Sequence, residues 1–143
     1  MKKIILGLLL LNFNPFLARA QEPLDQLAKQ NGLKNPESIV YNNERQEFYV
    51  SNVNGSPIEK DANGFISKIA LNGKSKIEWI KGLHAPKGLG IYQNTLYVAD
   101  IDALISIDIK AGKIIKKYPL DKAKFPNDIA VASDGTVYLS DMM

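Results

Sequence analysis

PESIVYNNERQEFYVSN from Pro36, PKGLGIYQNTLYVAD from Pro86 and PNDIAVASDGTVYLSD from Pro126 are three copies of one template. Each opens on proline and a polar residue, passes through a short apolar strand and a turn, and closes on Tyr, an aliphatic residue, Ser or Ala, and Asn or Asp. Tyr49, Tyr97 and Tyr138 fall 48 and 41 residues apart, and Asn52, Asp100 and Asp141 repeat that spacing. A period of about 40 to 50 residues is that of a four-stranded propeller blade. The expected fold is therefore all-β, a β-propeller.

Between the copies lie further apolar runs. GFISKIAL from Gly64 and ALISIDI from Ala103 read as third strands, SKIEWI from Ser75 and KIIKKY from Lys113 as fourth strands. Asn63-Gly64, Asn72-Gly73, Ala111-Gly112 and Asp134-Gly135 supply the positive-φ positions that tight hairpins demand. Lysines at 113, 116 and 117 suit a water-exposed edge, whereas Ile129 to Val131 read as a buried inner strand. The expected units are a blade over 36–82, a blade over 83–122 and half a blade over 123–143. Two and a half blades fall short of the four or so that closure needs, so the sequence reads as a truncated product or fragment.

Ahead of the repeats, Lys2 and Lys3, an apolar run from Ile4 to Leu11, and Ala18-Arg19-Ala20 form a cleavable signal peptide over 1–20. The run is too short for a membrane span, and the expected product is periplasmic or secreted, without a membrane anchor. Glu22 to Gln30, with Leu24, Leu27 and Ala28 at helical spacing, reads as a short helix or strap within 21–35. The 143 residues carry a formal charge of +3 and no cysteine. Lys2, Lys3 and Arg19 account for that excess, so the remainder is electroneutral and suggests no nucleic-acid surface. Lack of cysteine removes disulfides and thiolate metal sites.

In a propeller the first strand of each blade lines the central channel, so equivalent positions converge. After the repeated proline those positions hold Glu37, Lys87 and Asn127, with Asp128 beside the last. Carboxylate and amide oxygens suit calcium or magnesium. Two readings stay open for Glu37 and Asn127: metal ligation, or bonding to neighbouring backbone along a wet channel. Lys87 would repel a dication, but beside Glu37 it could neutralise the acid or capture an anionic ligand. Asn52, Asp100 and Asp141 recur in every copy, which points to turn capping. His84, the only histidine, reads as a loop residue, and Trp79 as packing between sheets.

The three repeats, above all FPNDIAVASDGTVYLSD from Phe125 to Asp141, resemble the senescence marker protein, gluconolactonase and luciferin-regenerating enzyme family of six-bladed propellers, to which paraoxonases are related. The resemblance spans roughly residues 36–141. It implies a lactonase-like ester or lactone hydrolase dependent on calcium or another divalent cation, with Glu37 and Asn127 as metal ligands and Asp128 nearby; the family's remaining ligands and its catalytic base would fall beyond Met143. Ser38 and Ile39 replace the glycine and proline that follow the family's glutamate, and Lys87 stands where paraoxonase-like enzymes carry histidine. The alternative is a non-catalytic propeller that binds a small anionic ligand or a protein.

Two nucleotide-binding patterns fail. Gly73-Lys74-Ser75 lacks the earlier glycine of a phosphate loop, since that place is Lys68. Gly88-Leu89-Gly90 lacks a third glycine, since that place is Gln93.

Overall fold

In the computed structural model of the protein, residues 32–143 are described. The expected signal peptide over 1–20 and the expected helix or strap over Glu22 to Gln30 lie outside the described residues. The described chain is all-β and antiparallel. Strands β1 (Pro36–Asn42), β2 (Glu47–Asn52), β3 (Gly64–Ala70) and β4 (Ser75–Leu83) pair in sequence order as one sheet. Strands β5 (Leu89–Tyr92), β6 (Thr95–Ala99), β7 (Ala103–Asp108) and β8 (Lys113–Pro119) form a second sheet of the same order, and β9 (Pro126–Val131) pairs with β10 (Val137–Asp141) as a hairpin. No described helix is long and apolar enough to cross a membrane.

Turn chemistry explains most of the joints. Gly73, Gly112 and Gly135 adopt φ of +83°, +63° and +90°, conformations that cost a side chain dearly. Asn63-Gly64 departs from expectation. The link from β2 to β3 is a long loop over 53–63, and Gly64 is instead the first residue of β3. Its lack of a side chain answers to space: a Cβ there would stand 2.5 Å from Pro86 Cδ and 2.6 Å from the His84 carbonyl oxygen.

The core lies between the two sheets. Ile66, Trp79, Ile80 and Leu83 of the first cluster with Leu89, Leu96, Val98, Ile105 and Ile107 of the second. Each such side chain contributes roughly 1.5–3 kcal/mol on leaving water. Trp79 meets Tyr49 at 5.1 Å between ring centroids and faces the β7–β8 turn, where a Cβ on Gly112 would come within 2.9 Å of its Nε1. A large aromatic thus fills the gap between sheets.

The first strands of the three units are neighbours, with β5 lying against both β1 and β9. Gly88 and Gly90 permit the second approach. A Cβ on Gly88 would sit 2.6 Å from Asp128 Cα, and one on Gly90 2.6 Å from Val131 Cγ2 and 2.7 Å from Ile129 Cγ2. This close approach explains the glycine pair that superficially resembled a nucleotide motif. Strand β9 corrects the expectation of burial: Ile129 and Val131 are half-buried and Ala130 is exposed, because no further sheet covers the hairpin's outer side in the described chain. Tyr138 on the hairpin is exposed for the same reason, and Ile39 on β1 is exposed as well.

Candidate functional site

Every template closes on a residue that clips the chain ahead of its own proline. Asn52 Oδ1 accepts from the Lys34 backbone N–H at 2.9 Å. Asp100 accepts from His84 N–H at 2.9 Å and Ala85 N–H at 2.8 Å, and Asp141 from Lys124 N–H at 3.0 Å and Phe125 N–H at 2.7 Å. These bonds hold the carboxylate of Asp141 below the usual aspartate range, the Lys124 bond most strongly. The recurrent Asn52, Asp100 and Asp141 are anchors for the starts of the inner strands.

The serine before the anchor has a role that the sequence reading passed over. Ser51 Oγ accepts from Ser38 N–H at 2.9 Å, and Ser140 Oγ from Asp128 N–H at 3.0 Å. Both satisfy a donor beside the shift in register that breaks the β1–β2 and β9–β10 ladders near their starts. The second repeat has Ala99 at this position. There Gly88 N–H crosses to the next unit and donates to the Asn127 carbonyl oxygen at 2.7 Å. The repeated Ser signalled this role in the sequence.

These clips set Glu37 on β1, Lys87 just before β5, and Asn127 and Asp128 on β9 at one end of the molecule. Glu37 and Asp128 are exposed and Asn127 is half-buried. Nearby protein still removes enough water to push the Glu37 carboxyl above its ordinary value; Lys87 offsets that rise and Asp128 adds to it. Glu37, Lys87 and Asp128 therefore act in one electrostatic neighbourhood.

Lys87 differs from its counterparts in being only 2% exposed. Its Nζ donates to the Ala85 carbonyl oxygen at 2.9 Å and stands 4.7 Å from the centre of the Phe125 ring. In the flanking repeats the matching carbonyls, of Asn35 and Phe125, accept backbone N–H groups of Val53 and Met142. In the second repeat Ile101 N–H turns to Asp100 Oδ1 instead, and the ammonium takes the vacant carbonyl. Burial lowers the Lys87 pKa, while Asp100 and then Glu37 oppose that fall.

The oxygen donors near Glu37 fit a hard cation in kind. Asp128 Oδ1 accepts from Ile129 N–H at 2.8 Å and Asn127 Nδ2 lies 3.4 Å from Met142 Sδ; among the described residues no donor reaches Asp128 Oδ2 or the Asn127 amide oxygen. Among the described residues no three His, Cys, Asp or Glu side chains converge as a metal-holding group. A cation here would complete its shell with amide, carbonyl or water oxygens. His84, as expected, is a loop residue, whose Nδ1 accepts from Ala62 N–H at 3.1 Å. No protein-family model matches the chain, and no curated protein matches it.

Proposed function

We propose that the chain belongs to an exported, lactonase-like β-propeller whose channel mouth binds a divalent cation through Glu37, Asn127 and Asp128. The observation that carries this reading is that β1 and β9, which bring Glu37 and Asp128 from the first and third units, both lie against β5, close enough for Asp128 to add to the rise of the Glu37 carboxyl. Two consecutive four-stranded meanders with adjacent first strands support the propeller arrangement. Lys87 still acts on Glu37, but its ammonium bonds the Ala85 carbonyl and pairs with neither carboxylate among the described residues, which leaves Glu37 and Asp128 to take a cation. Held by these residues, a divalent cation would supply Lewis-acid polarisation of an ester or lactone carbonyl. The chain's own part is to hold it: Asn52 and Asp141 fix the strand starts, and Gly88 lets β9 approach β5.

Calcium titration followed by thermal unfolding tests the reading. A ligand at a hundredfold excess over its dissociation constant stabilises the folded state by about 2.7 kcal/mol, a rise in Tm on the order of 10 °C for a domain of this size. The native chain should show that rise, and Glu37→Gln and Asp128→Asn should lose most of it. An equal response in all three proteins contradicts the assignment.

A further inference from the structure

An ammonium has three donors, and the Ala85 carbonyl is the only hydrogen-bond acceptor that Lys87 Nζ has among the described residues. No carboxylate among them lies within salt-bridge distance of it. Such a group, 2% exposed, leaves donor capacity in a place that water reaches poorly.

Beside it is a recess of about 40 Å³, lined by Pro57, Ile58, Lys87, Ile101, Lys124 and Phe125. That volume holds a water or two, or the head of a carboxylate, but no larger molecule. Ile101 and Lys124 also line an adjoining groove of about 440 Å³, whose wall combines Pro119 and Leu120 with the charged Lys60, Asp102 and Asp121. The recess offers a place for a charged head, and the Ile101, Pro119 and Leu120 side of the groove one for a short apolar body.

The loop over 53–63 roofs the recess with Pro57 and Ile58. It is fastened by the Lys60–Asp102 ion pair at 2.8 Å and by Ala62 N–H to His84 Nδ1 at 3.1 Å. Ala62 sits at φ +57°, a left-handed conformation that opposes the fastening. Asn54 and Gly55 at the other end also have positive φ, +54° and +150°. Beyond its base, where Val53 and Asn54 donate to the Asn35 and Lys34 carbonyls, the strap is held by these two contacts, both exposed to water, and its outer part can open at modest cost.

We infer that Lys87 and Lys124 form a subsite for a small organic carboxylate with a short apolar body, and that the 53–63 loop is the strap that gates it. This subsite is separate from the proposed cation site and does not depend on it. The carboxylate meets the unused donors of Lys87, while its body lies along Ile101, Pro119 and Leu120.

Reductive methylation with residue-level mass spectrometry tests both halves on the full chain, with sodium butyrate as the probe and sodium chloride at equal ionic strength as the control. In the native protein Lys87 should be labelled far more slowly than Lys113. The double variant Asp102→Asn with His84→Ala should speed labelling of Lys87 several-fold and leave Lys113 unchanged, while unshifted emission of the buried Trp79 shows that the sheets remain folded. Butyrate should then protect Lys87 more than chloride does, and Lys124→Met added to the double variant should weaken that protection. Unchanged labelling of Lys87 on release of the strap overturns the gate, and equal protection by butyrate and chloride overturns the subsite.

Discussion

Gly88 donates its backbone N–H to the carbonyl oxygen of Asn127 at 2.7 Å, a bond that joins the second sheet to the β9–β10 hairpin at the candidate site. It forms where Ala99 supplies no hydroxyl and where the glycine lets the two backbones meet. A Cβ at Gly88 would press on the backbone of Asn127 and Asp128, at 2.7 and 2.6 Å. Gly88→Ala should therefore cost roughly 1–3 kcal/mol in a urea unfolding experiment. An unchanged midpoint would mean that the units are not in this contact.

The anchors should differ in worth according to their burial. Asp100 is 1% exposed and serves the backbone of His84, Ala85 and Ile101. Asp100→Ala leaves buried donors without a partner, each worth about 1–3 kcal/mol, and should be among the most damaging single changes in the chain. Asp141→Ala removes the same pattern in an exposed place and should cost much less. Thermal unfolding of the two variants side by side provides the comparison; equal losses would show that the clip acts without regard to water.

Acid stability should report the same anchor. The folded-state pKa of Asp141 lies below its ordinary 3.8, chiefly because of the Lys124 N–H bond and then that of Phe125. Its ionised form is therefore favoured by folding. That contribution is fully present above pH 3.8 and is lost as the pH falls through the lower folded value. Asp141→Asn should flatten the stability profile of the native chain below about pH 4 and leave its slope near neutrality unchanged. An unaltered acid limb would contradict the role of these bonds.

Trp79 is the only tryptophan, so its fluorescence reads the space between the two sheets. Trp79→Ala should cost roughly 3–5 kcal/mol, and Trp79→Phe, which keeps an aromatic face toward Tyr49, distinctly less. In the native chain, denaturant should shift the emission to the red in step with the loss of strand signal. A red emission before any unfolding would place the indole in water, against its 8% exposure.

The strands were legible because the template repeats and its apolar runs are bounded by glycine turns; both four-stranded sheets follow that plan closely, and Leu83 extends β4 one residue past the expected boundary. The anchoring part of Asn52, Asp100 and Asp141 was legible for the same reason. Contacts between units were not. Nothing in the residue order shows that Gly64 faces Pro86, that Gly90 faces Ile129, or that Lys87 turns inward to Ala85, since these depend on the packing of separate sheets. The half-exposed state of β9 was hidden too: an apolar strand reads as buried whether or not another sheet lies opposite.

The central claim is that Glu37 and Asp128 stand at one mouth. Because the chain has no native cysteine, the pair E37C and D128C can carry two spin labels, and pulsed electron resonance can measure the distance between them. The account predicts one narrow distribution, shorter than that of a reference pair at Glu37 and Lys113, which lies at the far end of edge strand β8. A broad distribution, or a separation as long as that of the reference pair, would contradict it.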